Sequence, residues 1–168
     1  MTGNPEAPGI GELKCMALDL IHSTSAMTLA TCGPNAAWAA PVYYVYRAGG
    51  FFFFSKPDSR HIREALAAGF AAAAIHAPGE SWQSIRGIQM SGVIRKSRIG
   101  LNAIGAIHAY LEKFPFTREF FKDGQQIHPT DFIARFKVRL YAFKPRRVYY
   151  QDNRIKFGFR EEIRLDAD

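Results

Sequence analysis

Residues 51–66 read FFFFSKPDSRHIREAL, and the remainder of the chain can be ordered around them. An apolar strand over 51–55 ends in Ser55. A short polar loop follows, carrying Lys56, Ser59, Arg60 and His61. A helix over 58–69 comes next; Asp58 or Ser59 can cap its start and Gly69 can end it. Free helix N–H groups, the positive end of the helix dipole, two hydroxyls and two cations therefore meet in one place. That combination favours an anion. A capped helix surrounded by solvated charges is the competing reading of the same residues.

Upstream, apolar positions at helical spacing (Leu13, Met16, Ala17, Leu20, Ile21) predict an amphipathic helix over 10–22. The period then changes to two. MTLATC (27–32) predicts a strand, GPNA (33–36) a turn, AWAAPVYYVY (37–46) a second strand, and RAGG (47–50) a turn into 51–55. Pro41 cannot donate to a ladder, so it marks an edge, a bulge or a place where the backbone serves something other than a strand.

Downstream, strands are expected over 70–77 and 84–97, with Gly87 and Gly92 marking bulges or close approach. A helix is expected over 100–122, interrupted at Pro115. Residues 135–153 read as strand, break, strand, and 154–159 (RIKFGF) close the chain. Arg135, Lys137 and Arg139 would alternate along one solvated strand face or form an anion patch. The fold class is mainly β (α+β): six or seven antiparallel strands in a small barrel with flanking helices. With 168 residues, 48% of them apolar, the chain is expected to form a single domain over 1–168 with a loose tail over 1–9.

The charge is uneven. Residues 1–84 hold 5 basic and 6 acidic side chains (net −1), and 85–168 hold 17 and 9 (net +8). A basic half suits phosphate-bearing ligands, nucleic acid or a membrane surface. Cys15 and Cys32 form no CxxC pair, which points to a reducing compartment, the cytoplasm. No leader-like start and no membrane-length apolar run is apparent. Scattered histidines without ligand spacing give no metal site. Paired carboxylates, a P-loop and a GxGxxG are absent, so the chain carries no acid–base machinery of its own.

FFSKPDSRH resembles the phosphate-binding stretch of the pyridoxamine 5′-phosphate oxidase superfamily, the FMN-binding split barrels. Phe54, Ser55, Ser59, Arg60 and His61 occupy the pattern, with His61 where the family usually has Lys, and Lys56 nearby. WAAPVYYVY resembles the strand that lies along the isoalloxazine, which implies Ala39, Ala40, Pro41 and Val42 as ring contacts. SIRGIQMSGVIRKS resembles the family's Arg-Gln-Val-x-x-x-Gly strand, with Gly87 where the oxidases place a flavin-contacting Gln and Gln89 two residues on. The C-terminal hairpin resembles the one that reaches the partner's flavin, which implies Tyr150. The order of the IRGIQMSGVIR strand (85–95), Phe114-Pro115 and Asp152-Asn153 through Phe157-Gly158 resembles the uncharacterised YhbP-type branch.

The resemblance implies a homodimeric split β-barrel holding FMN at the subunit interface. Its activity would be an FMN-dependent oxidation or reduction of an unidentified small molecule, with the chemistry residing in the cofactor. An alternative is a non-redox binding module on the same barrel for haem (with His61 or His76 as axial ligand), a deazaflavin or flavin sensing. A basic nucleic-acid binder ranks last, because no known nucleic-acid motif is present.

Overall fold

The computed structural model describes residues 7–98, 100–120, 133 and 135–165. Helix α1 (Ile10–Ser23) buries Leu13, Ala17, Leu20 and Ile21. Strands β1 (Ala26–Cys32), β2 (Ala37–Tyr43), β3 (Val45–Arg47) and β4 (Gly50–Ser55) follow. Then come α2 (Arg60–Ala68), β5 (Ala71–His76), β6 (Arg86–Lys96), α3 (Leu101–Lys113), β7 (Arg139–Asp152) and β8 (Arg160–Ile163). One antiparallel sheet runs β2-β1-β5-β6-β7-β4-β3, with β8 added to β7. Among the described residues no helix is long and apolar enough to cross a membrane.

The order of strands dictates the curl. β2 and β3 are the two ends of the path, yet only Tyr44 separates them in sequence. The sheet must bend round until its edges meet, giving a half-barrel. Tyr44 marks that seam, fully buried. Its N–H donates to Ser25 O at 3.2 Å and its hydroxyl to Ile21 O at 2.7 Å, tying α1 to the barrel. Burial raises the Tyr44 pKa well above the ordinary phenol range, so the hydroxyl stays a donor.

Alternation explains the four phenylalanines. Phe51 and Phe53 point into the barrel with Tyr44, Tyr141 and Phe143. Phe52 joins a second core outside the barrel, where α3 lays Ala103, Ala106, Ile107 and Tyr110 against Val45, Leu140 and Ala142; Phe54 packs at its margin. β4 therefore has no wet face and needs no polar residue until Ser55.

Four expectations need correction. The strand over 37–46 divides at Tyr44, because the chain changes sheet edge there, and with β8 this brings the strand count to eight. β7 is continuous through Pro145, because the register slips between Ser91/Gly92 and Arg147/Pro145. Arg146 is the bulged residue, and a missing N–H is tolerated there. Arg135 and Lys137 precede β7, and Lys137 adopts a left-handed φ of 52°, so the three cations share no strand face. Residues 154–159, expected to close the chain, form the turn into a further strand, β8.

Other boundaries fall close to expectation. Gly69 closes α2 in the left-handed conformation (φ 75°). α3 ends at Lys113, with a 3₁₀ turn over Pro115–Phe120; the remainder of the expected helix lies outside the described residues, as do residues 1–6 of the tail. Tyr44→Phe leaves the Ile21 carbonyl without its donor. We expect a loss of about 1–2 kcal/mol, read as a lower urea midpoint at unchanged slope.

Candidate functional site

β4 ends at Ser55 and α2 begins at Arg60, and the loop between them is folded tightly, with Ser59 N–H donating to Lys56 O at 3.1 Å. Three side chains converge. Ser55 Oγ lies 3.0 Å from Ser59 Oγ and 2.8 Å from His61 Nε2, and Ser59 Oγ lies 3.3 Å from the same nitrogen. Ser59 holds the N-cap position with extended backbone, but its hydroxyl turns to Ser55 and His61 and makes no capping bond. Side-chain capping, expected from the sequence, is replaced by this triangle. The helix ladder starts with Ile62 and Arg63, whose N–H groups both donate to Ser59 O at 3.1 and 3.0 Å. The N–H groups of Arg60 and His61 stay outside the ladder, at the positive end of α2.

Ser55 is buried and His61 is partly buried. Burial lowers the His61 pKa, and the charge of Glu64 opposes this only in part. The imidazole is therefore neutral near pH 7 and accepts or donates according to its tautomer.

Arg60 takes another direction. Its Nε donates to Glu64 Oε1 at 2.6 Å, and its guanidinium carbon lies 4.5 Å from the Trp38 ring centroid. Glu64 also accepts the Thr31 hydroxyl at 2.6 Å. That hydroxyl first, then Arg60, holds the Glu64 carboxyl below the ordinary glutamate range. Beside this group opens a cleft of about 640 Å³, lined by the β1–β2 turn (Cys32–Ala36) and by Arg60, Arg63 and Glu64 of α2.

The other expected site residues are dispersed. Ala39 and Pro41 face out from β2, whereas Ala40 and Val42 face in; β2 is an edge strand, as Pro41 suggested. Lys56 is exposed on the loop. Phe54 stands edge-on to Tyr110, with centroids 4.9 Å apart, beneath α3. Gln89 lies on the exposed face of β6, donating to Gln151 Oε1 at 3.0 Å. Gly87 cannot be a Gln here, since a Cβ would sit 2.8 Å from Ile75 O. Tyr150 lies inside the barrel, with its hydroxyl on Asp152 Oδ2 at 2.8 Å. Burial, then that carboxylate, pushes its pKa up to about 12. Asp152 is itself held by Arg154, so Tyr150 belongs to a buried network that secures the β7–β8 turn.

Sequence reasoning missed Thr31, Trp38 and Glu64. The four-residue spacing of Arg60 and Glu64 could have signalled that pair. Nothing local could place Trp38 or Thr31 beside them. Among the described residues no group of three or more His, Cys, Asp or Glu could hold a metal ion.

No protein-family model matches the chain, and neither does any curated protein. Solved structures do match. A haem-binding protein from Mycobacterium smegmatis is 19% identical over 94% of this chain, with a TM-score of 0.67; the chain spans 58% of that protein's length. A FAD-binding protein from Mesorhizobium loti is 11% identical over 80% of this chain and 90% of its own, with a TM-score of 0.59. A candidate pyridoxamine 5′-phosphate oxidase from Listeria innocua is 9% identical over 82% of this chain and 96% of its own, also with a TM-score of 0.59. The fold is that of the pyridoxamine 5′-phosphate oxidase-like split barrels. Split barrels that bind flavin and split barrels that bind haem both stand among these neighbours, so the likeness fixes architecture and leaves the ligand to the site.

The depressed His61 pKa makes a sign prediction for this split barrel. Protonation opposes folding at a group held neutral, so its contribution is complete above the ordinary imidazole value of about 6.5 and is lost as pH falls through the lowered folded value. The urea midpoint of the native protein should fall over that interval, and His61→Gln should flatten this part of the profile.

Proposed function

We propose that this chain binds FMN as a homodimer and carries out a flavin-dependent oxidation or reduction of a small molecule. The triangle of Ser55, Ser59 and His61 at the start of α2 carries this reading, with Arg60 as the first residue of that helix and Lys56 on the loop before it. This donor set fits a phosphate monoester. It offers two hydroxyls, two N–H groups outside the helix ladder, two cations and an imidazole that takes up a proton as a dianion approaches. Ala39, Ala40, Pro41 and Val42 supply the ring side, because an edge strand has backbone groups that no neighbouring strand uses. Gln89 is a ring contact from β6 in the same reading. Tyr150 is left out, since its hydroxyl serves Asp152. FMN, when bound, supplies the hydride chemistry. The residues of this chain anchor the phosphate, orient the ring and exclude water.

The homodimer rests on the outer sheet face. Ala30 pairs with Ala39 and Ala72 on either side, and Ala74 follows on β5, all exposed. Small side chains on a gently curved sheet let a second copy approach closely through a two-fold axis. On motif order over 85–95, 114–115 and 152–158 we assign the chain to the YhbP-type branch.

The haem reading draws on the Mycobacterium smegmatis neighbour. Of the two histidines named for it, His61 has Nε2 engaged by Ser55 and Ser59, so an iron would fall to His76, exposed at the end of β5. A deazaflavin would use the same anchoring residues as FMN.

The absorption spectrum of the concentrated protein, followed by titration with FMN, tests the proposal. Flavin bands or saturable FMN binding support it; a Soret band without flavin bands supports haem. Arg60→Ala should weaken FMN by roughly tenfold to 150-fold, the equivalent of about 1.5–3 kcal/mol for one charge-assisted contact. Undiminished affinity overturns the phosphate assignment. Ala72→Arg places a charge in the middle of the small-residue face and should yield monomers in sedimentation, with FMN lost in parallel.

A further inference from the structure

We infer that Glu64 is a positioning residue for ligand phosphate: together with Thr31 and Trp38 it presets the Arg60 guanidinium. The inference rests on the phosphate reading above and goes beyond it, because it predicts that a carboxylate beside an anion site strengthens anion binding.

Three elements converge on one guanidinium. From α2, Glu64 Oε1 accepts the hydrogen bond of Arg60 Nε–H at 2.6 Å. From β1, the Thr31 hydroxyl, itself buried, donates to Glu64 Oε2 at 2.6 Å, so both carboxylate oxygens are engaged and the carboxylate cannot swing. From β2, the Trp38 ring packs against the guanidinium, whose carbon lies 4.5 Å from the ring centroid. The Glu64 side chain is only 13% exposed, compared with 39% for Arg60. The β1–β2 turn makes room for this carboxylate: a Cβ at Gly33 would lie 2.8 Å from Glu64 Oε1.

The consequence is chemical. An arginine offers a side-on pair of donors through Nε and an end-on pair through its two terminal nitrogens. Glu64 consumes Nε, and among the described residues no hydrogen bond engages the terminal nitrogens, which remain for a phosphate oxygen pair. Arginine carries a large rotamer entropy, and a preset fork loses less of it when the ligand arrives. A carboxylate at this place also repels a phosphate. Positioning and repulsion therefore predict opposite signs, and that makes the inference testable.

Glu64→Gln removes the charge at nearly constant volume. Gly33→Ala keeps the charge but displaces the carboxylate. Positioning predicts that both variants weaken FMN by about fivefold to twentyfold, with the far-ultraviolet spectrum and urea midpoint confirming folded protein. A second readout needs no ligand. In a Trp82→Phe background Trp38 is the sole tryptophan. Its emission in Glu64→Gln should move toward that of Arg60→Ala, because the guanidinium has left the ring. Tighter or unchanged FMN binding in Glu64→Gln, with Arg60→Ala still weakened, overturns the inference and leaves the phosphate reading standing. Unchanged binding in Arg60→Ala removes the phosphate reading and the inference with it. Wild-type Trp38 emission in Glu64→Gln likewise overturns the positioning role.

Discussion

A single residue joins the two edges of the sheet. β2 and β3 end opposite sides of a seven-strand path, and Tyr44 alone connects them. A flat sheet cannot satisfy that link, since the strands between the edges would hold them several strand spacings apart. The barrel is therefore a closure condition on the chain, and the rest follows from it. The inside must be filled, which Phe51, Phe53, Tyr141, Phe143 and α1 do. The seam must be locked, which the Tyr44 hydroxyl does through Ile21. Lys113 adds a tie from outside, donating to Thr24 O at 2.8 Å with its ammonium 4.5 Å from the Tyr44 ring centroid.

The same closure builds the candidate site. Curling brings the β1–β2 hairpin over the start of α2, where Trp38 meets Arg60 and Thr31 meets Glu64. β4 is dry on both faces until Ser55, so the first hydroxyl of that strand appears where the chain turns into the helix. The result is a cluster of two hydroxyls and one neutral imidazole on the ends of regular elements. A histidine in that place differs from the lysine of the resembling family in one respect. Its charge depends on its surroundings, and burial here favours the neutral ring.

Much of this was legible in the chain. The 51–66 stretch carries its strand, loop and helix in plain order, and Gly69 ends the helix as its left-handed freedom predicts. Pro41 on an edge and the slip beside Gly92 follow from the missing donor of one and the missing Cβ of the other. The errors have a common source. The break at Tyr44, the unbroken course of β7 past Pro145 and the strand after 159 all depend on which partner lies alongside, and local preference is silent about partners. The serine, arginine and histidine of the site were visible because they are adjacent in sequence. Thr31 and Trp38 were not, because only the β1–β2 hairpin folding onto α2 brings them there. Tyr150 shows the opposite limit: motif order suggested a cofactor contact, and alternation along β7 turned the ring inward to Asp152.

The central claim is that the start of α2 and the edge of β2 form one ligand site for a flavin phosphate and its ring. Amide chemical-shift mapping of isotopically labelled protein during addition of FMN tests it most directly. The account predicts that the largest shifts fall on Ser59, Arg60 and His61 and on Ala39 through Val42. Large shifts confined to other elements, or none at saturating FMN, would contradict it.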